Sequence, residues 1–350
     1  MKRRNIFVIF ILVSTILLSS FSFYAYQIIY SPNFQVDKDD KLLVVEKDET
    51  FKSLQNKLYD DNYVQDLVSF SFLAKLMGYD ENIKPGRFLI KSNMTNLQVI
   101  RLLRSGIQQP VNVTFNNIRL KDELAGRLTK NIALTEEEFD DALNQFIQTN
   151  EYGFNEKNII SMFIPNTYQV YYDVSGQALL DRLHDEYQRF WNEERRQKAE
   201  ALNMTPLEVS TLASIVQAES VKKDESAKIA GLYLNRLKRG IALQADPTLV
   251  FASGDYGLKR VLNVHKEIDS PYNTYKYAGL PPGPINMPFI HSIDAVLNAE
   301  NHNYIYMCAK EDFSGYHNFA ANYNEHLRNA ARYQRQLTIE QQKARMNSSN

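Results

Sequence analysis

From Asn5 to Val36 the chain carries no charged residue. That run constrains the fold more than any other feature. Ile6 to Leu18 is strongly apolar, and Phe21 to Tyr30 is rich in aromatic rings. A helix of about 20 apolar residues spans a bilayer with its backbone groups bonded internally. Lys2, Arg3 and Arg4 precede the run, and positive flanks stay in the cytoplasm. The expectation is a cytoplasmic tail at 1–4, a single-pass anchor at 5–30 and a short linker at 31–41. The bulk of the chain then lies on the extracytoplasmic, or periplasmic, side of the cytoplasmic (inner) membrane. Ser20-Phe21-Ser22 keeps a cleavable signal peptide open as the alternative. The long aromatic-terminated run favours the anchor. No cysteine follows it to take a lipid.

The 350 residues are 44% hydrophobic with 13 Gly and 11 Pro, enough to bury a core of ordinary composition. Basic and acidic side chains number 40 and 41, so the balance makes no electrostatic case for nucleic acid. Cys308 is the lone cysteine; it has no intramolecular partner and is expected on a buried strand. The six histidines show no metal-ligand spacing, and phosphate-loop, dinucleotide, serine-hydrolase and zincin signatures are absent. Neither a cofactor nor a metal is expected.

The predicted fold class is α+β. Residues 42–106 read as a small module: a strand at Leu42–Val45, helices at Thr50–Tyr59 and Phe70–Met77, a turn into a strand at Lys84–Ile90, and a helix at Asn96–Arg104 closed by Gly106. Residues 107–337 form a larger domain in two parts, 107–202 and 203–337. Val111–Phe115 alternates as a strand does. Residues 121–160 are helical and acidic, a solvated face. An aromatic strand follows within Phe163–Tyr172, and Gln177–Leu202 reads as one long amphipathic helix. Helices at Thr205–Ser220 and Glu225–Arg239 precede a loop-rich stretch, Gln244–Pro288. The end reads helix, strand, strand, helix, with a polar tail at 338–350 expected to be disordered from about Gln341.

Within the helix that starts at Thr205, Leu212, Ile215, Val216 and Glu219 share one face, while Ser210, Ser214 and Gln217 share the other. A carboxylate ending an apolar stripe is either a structural ion-pair partner of a nearby Lys or Arg such as Arg236, or an acid with a raised pKa. The second is what general acid catalysis at neutral pH needs. Asp246, just before Pro247, is a helix cap or a site residue. Pro271-Tyr272-Asn273-Thr274-Tyr275 combines rings and polar groups, the mix that sugar recognition uses. Gly279-Leu280-Pro281-Pro282-Gly283-Pro284 is a rigid turn suited to a cleft wall. His317-Asn318-Phe319 adds polar groups from a late strand.

These blocks resemble a known family. Ala213-Ser214-Ile215-Val216-Gln217-Ala218-Glu219, Asn235-Arg236-Leu237, Leu243-Gln244-Ala245-Asp246-Pro247-Thr248, Tyr272-Asn273-Thr274-Tyr275 and Gly279 to Ile285 occur in the order seen in endolytic murein transglycosylases of the MltG (YceG-like) family. Phe163-Ile164-Pro165-Asn166-Thr167-Tyr168 resembles that family's F-P-D-T-Y segment, with Asn166 in place of Asp. The module at 42–106 resembles its LysM-like domain. Gln217 stands where the family often carries a second glutamate, and Asn116-Asn117 where an acidic-glycine turn is common. The resemblance implies cleavage of the β-1,4 bond between N-acetylmuramic acid and N-acetylglucosamine in peptidoglycan, leaving 1,6-anhydro ends. It implies Glu219 as the catalytic residue, and Gln244, Asp246, Tyr272, Asn273, Tyr275 and Asn318 as binders of the glycan. It also suggests work beside peptidoglycan synthases in the membrane. A hydrolase pairing Glu219 with Asp246, and a non-catalytic peptidoglycan-binding scaffold, are the alternatives.

Overall fold

The charge-free run as far as Tyr30 lies in one helix, α1 (Lys2–Tyr30). From Ile6 to Leu18 its large apolar side chains lie exposed, and Arg3–Tyr30 is long and apolar enough to cross a membrane. The computed structural model describes residues 2–36, 40–258 and 260–348. The last turn of α1 differs from the rest, because Ile28 is buried with Phe34 and Val36 in a core. Asn96 Nδ2 donates to the Ile28 carbonyl at 2.9 Å, and Asn33 Nδ2 donates to Asn96 Oδ1 at 2.7 Å. The expected linker at 31–41 is therefore corrected. Its first half is strand β1 (Pro32–Phe34), held by the Phe34 ring edge-on to Phe70. Residues 37–39 of that linker lie outside the described residues.

The chain up to Val113, with 129–135 and 168–175, makes one compact unit. Strand β2 (Lys41–Val45) is followed by α2 (Phe51–Asp60), α3 (Leu67–Leu76) and β3 (Gly86–Ile90), and β2 and β3 pair antiparallel. Leu43, Val45, Phe88 and Ile90 point inward at the two-residue spacing of strands. Thr50 and Asp66 cap the two helices through their side-chain oxygens. Short β4 (Met94–Thr95) pairs with β1 and leads into α4 (Asn96–Ser105). A Thr95–Gln98 capping box opens α4, and Gly106, at φ +71°, closes it where the sequence places the stop. Strand β5 (Val111–Phe115) follows.

The second unit holds 114–128, 136–167 and the chain from Gly176 on. Helices α5 (Glu123–Leu128) and α6 (Glu136–Thr149) precede β6 (Asn166–Val170). The single helix expected at 177–202 is two, α7 (Gly176–Phe190) and α8 (Glu193–Ala201). The break comes at a fully buried Trp191, after which Asn192 caps a fresh helix by accepting from Arg195 N at 3.0 Å. Then come α9 (Pro206–Glu219), α10 (Ser226–Lys238), α11 (Asp246–Ser253), α12 (Asn263–Lys266) and α13 (Ile290–Leu297). An antiparallel hairpin of β7 (Tyr306–Ala309) and β8 (His317–Ala320) precedes α14 (Tyr323–Ser348). The tail expected to be disordered instead continues α14 to Ser348, because Gln, Lys, Ala, Arg and Met are strong helix formers.

Helix α9 is the centre of this unit, packed by α8, α10, α11 and α13. Its expected amphipathic pattern is corrected: every residue from Val209 to Val216 is buried, Ser210, Thr211 and Ser214 included. Two of those hydroxyls bond back to the helix, Thr211 to Leu207 O at 2.8 Å and Ser214 to Thr211 O at 2.7 Å. A short polar side chain so satisfied can sit in a core, which is why its polarity misleads a pattern reading.

Candidate active site

The Thr205–Glu208 capping box and Pro206 start α9, and the helix ends on Glu219, with Ser220 already extended. Glu219 thus stands at the negative end of a buried helix dipole. The hydroxyl of Tyr233, on α10, donates to Glu219 Oε1. The ion pair with Arg236 is not formed. That guanidinium donates to Ala242 O at 2.9 Å, Ile305 O at 2.6 Å and Gln244 Oε1 at 2.8 Å. Burial pushes the Glu219 carboxyl up to about 7, the negative charge of Asp246 adds to the rise, and the Tyr233 bond opposes it. Burial and the neighbouring carboxylate hold the Tyr233 hydroxyl well above its ordinary range, so it stays a donor.

The loop opposite is pinned by α9. Ser214 Oγ accepts from Ile285 N at 3.0 Å. Gln217 Oε1 accepts from Phe289 N at 2.6 Å, while its Nε2 donates to Asn286 Oδ1 at 3.0 Å. Gln217 is therefore spent on structure. A Cβ at Gly283 would lie 1.9 Å from Lys157 O, so the rigid Pro-Gly turn presses directly on neighbouring backbone.

Three hollows follow one another across this unit. The first, about 570 Å³, is lined by Glu219, Asp246, Arg119, Phe251, Tyr256 and Asn286 among others. The second, about 290 Å³, shares Glu219 and Asp246 and adds Tyr233, Gln244, Tyr275 and His317. The third, about 250 Å³, shares Arg119 and Phe251 with the first and adds Tyr272 and Lys157. Glu219 thus lies on the divide between two hollows.

The sequence-derived candidates separate into two groups. Asp246 is the first residue of α11 and does not cap it. Its Oδ1 accepts from the Tyr275 hydroxyl at 2.5 Å, and it borders both hollows beside Glu219. Gln244, at φ +51°, borders the second hollow with its amide oxygen held by Arg236. Tyr272 stands away from Glu219, in the third hollow, with its ring 4.6 Å from that of Phe251. Asn273 is corrected: it is fully buried, donates to Lys266 O and Ile268 O, and accepts from Tyr275 N and Lys276 N. Its amide is consumed in shaping the loop. Asn318 is half-buried on β8 and does not border the hollows that hold Glu219. Its Nδ2 donates to Glu311 at 2.7 Å, and strand alternation turns its neighbour His317 into the second hollow instead. Cys308 is half-buried beside that hollow, not sealed in a core.

A model of the YceG-like family matches residues 43–332. The chain belongs to the YceG-like family. A relative from Streptococcus pneumoniae (strain ATCC BAA-255 / R6), an endolytic murein transglycosylase, is 25% identical over 364 residues, covering 93% of this chain and 65% of its own length. The YceG-like chain thus spans 65% of the length of that relative. An endolytic murein transglycosylase of Bacillus subtilis (strain 168) is 44% identical over 102 residues, 29% of this chain and 28% of the relative. The crystal structure of a yceG-like protein from Listeria monocytogenes superposes with a TM-score of 0.51 at 23% identity, covering 83% of this chain and 99% of the other. At that identity the likeness is one of fold.

Two side chains of the YceG-like site, Tyr233 and Arg119, and one pairing, that of His317 with Glu225, carry no local sequence signal. Tyr233 lies inside an apolar helical run, and only the need of a buried phenol for a partner could have signalled it. Arg119 sits in a loop of no recognisable pattern. His317 is fixed by Glu225, whose two oxygens accept from the His317 N–H at 2.9 Å and bond Nδ1 at 2.7 Å. The two residues stand 92 positions apart, a pairing that no local spacing reveals.

Proposed function

We propose that this chain is a membrane-anchored endolytic murein transglycosylase, as its curated relatives are named. The observation that carries the reading is Glu219: of the two carboxyls on the divide between two hollows, it is the one raised to about 7. Sugar residues in the hollows on either side would set an internal glycosidic bond over it, which is endolytic cleavage. At neutral pH both protonation states of such a carboxyl are populated.

In the forward step Glu219 gives its proton to the glycosidic oxygen, and the bond from C1 of N-acetylmuramic acid to that oxygen breaks. The 6-hydroxyl of the same sugar attacks C1, its proton passes to the Glu219 carboxylate, and the 1,6-anhydro bond closes. No water enters, and the enzyme recovers its proton. The Tyr233 hydroxyl, donating to Oε1, leaves Oε2 to carry the moving proton. Asp246, held by Tyr275, keeps the acid protonated enough to act, and Gln244 and Tyr275 border the path of the glycan.

Helix α1 would anchor the chain in the cytoplasmic membrane with both units on the outer side. The strand-helix-helix-strand part of the first unit would serve as the LysM-like module, placing the active site along a strand near the peptidoglycan synthases.

Asp246, which borders the same two hollows, favours one second reading: hydrolysis with Glu219 as acid and Asp246 as base or nucleophile. Mass spectrometry of muropeptides released by the full-length protein separates the two. Anhydro ends that vanish in Glu219→Gln support transglycosylation, whereas reducing ends would carry the hydrolase.

A further inference from the structure

Arg119 stands where the first and third hollows meet. Its guanidinium lies 4.5 Å from the centre of the Tyr256 ring, and among the described residues no acceptor takes its N–H groups. The Tyr256 ring in turn lies 6.3 Å from Phe251, and Phe251 lies 4.6 Å from Tyr272. A line of aromatic rings therefore runs from the Glu219 hollow into the third one, with an unspent cation on its rim. Lys121, nearby, is already paired with Glu156 at 2.7 Å, so Arg119 is the less committed of the two.

Stacking on a ring fixes the plane of a guanidinium and leaves its fork of donors directed outward. Such a fork matches a carboxylate, with two parallel N–H···O bonds. Ring faces beside it suit the C–H faces of a sugar. We propose that the third hollow is a carboxylate-reading subsite of the glycan cleft, with Arg119 as its specificity-determining residue. The proposal rests on the reading of the Glu219 cleft as a glycan site. Murein offers that carboxylate from two sources: the stem peptide, or the free lactyl group of a muramic residue that has lost its peptide.

The test uses the full-length protein in detergent carrying Glu219→Gln, so that glycan binds without turnover. Four probes are titrated by calorimetry: peptide-bearing strands, strands stripped of peptide, and each of these with its carboxylates amidated. Charge-assisted bonds of this kind predict that a carboxylate-bearing probe binds about tenfold tighter than its amidated counterpart. Adding Arg119→Gln should bring that ratio close to one, and Arg119→Lys, which keeps the charge but loses the fork, should leave it between. A preference confined to peptide-bearing strands assigns the stem peptide, and one in stripped strands assigns the lactyl group. Equal binding of charged and amidated probes, a preference that survives Arg119→Gln, or no binding of any probe overturns the subsite. If the preference holds while the wild-type protein releases no anhydro ends, the transglycosylase reading falls and the subsite stands.

Discussion

The Tyr233 hydroxyl donates to Glu219 Oε1 from the neighbouring helix, and it is the influence that pulls the acid back toward the charged form. Burial and Asp246 push the other way. An acid that must give a proton and then take one works best when neither push wins outright. The balance near neutrality belongs to three side chains on three helices, α9, α10 and α11.

Tyr233→Phe removes the opposing bond and should raise the Glu219 pKa. In the proposed reaction activity needs the protonated acid, so kcat/KM falls as pH rises through that pKa. The basic limb of the profile should therefore move up by about one pH unit, since a bond to a charged group is worth roughly 1.5 kcal/mol or more and one unit is about 1.36 kcal/mol. A limb that stays put, measured as anhydro product against pH, means that Tyr233 does not set the proton affinity.

Stability carries the same signature with a definite sign. The folded carboxyl sits at about 7 against an ordinary 4.5, so between those values the folded state binds a proton that the unfolded state has lost. Stability therefore falls as pH rises through this window and levels off above it. Glu219→Gln abolishes the titration. Its Tm should exceed the wild-type value at pH 8, and the difference should shrink as the pH is lowered below 4.5. Discounted for the solvent reaching the cleft, the gain is about 1 kcal/mol, or about 2–4 °C for a domain of this size. Thermal unfolding at the two pH extremes reads it directly, and a variant less stable than wild type at pH 8 contradicts the raised pKa.

Much of this was legible in the chain because it depends on local pattern. Thr205 and Pro206 announce the start of α9, Gly106 the end of α4, and the charge-free run announces α1. Glu219 stood out because a carboxylate among apolar neighbours is costly without a reason. What was not legible depends on distant pairs. Asn273 has the composition of a sugar site, yet its amide is spent within the protein, on loop carbonyls and loop N–H groups. Trp191 breaks a helix that its helix-forming neighbours would have continued. Phe34 turns a linker into a strand because a core lies in reach.

Gln217 shows how a residue two positions from the acid can be structural. Its amide bridges Phe289 N and Ser292 Oγ on one side and Asn286 Oδ1 and Met287 O on the other. Gln217→Glu keeps the acceptor and replaces the donor with an oxygen facing two oxygens. The expected cost is about 1–3 kcal/mol at neutral pH, easing as the new carboxyl protonates. Urea titrations at pH 7.5 and pH 5 measure both; a variant as stable as wild type at pH 7.5 shows that the loop does not need the donated bonds.

Asp246→Asn separates the two chemistries that the cleft admits. In transglycosylation Asp246 acts on Glu219 through its charge, and losing that charge lowers the acid's pKa. The basic limb should then move down, so the loss of activity at pH 8 should exceed the loss at pH 6 severalfold, with anhydro ends still the product. The Tyr275 hydroxyl keeps an oxygen to donate to, so the loop need not move. Were Asp246 a hydrolytic base, the loss would be about 100-fold or more at both pH values, the usual contribution of a general base. Rates and product ends measured on one strand preparation at the two pH values decide between a tuning charge and a reacting one.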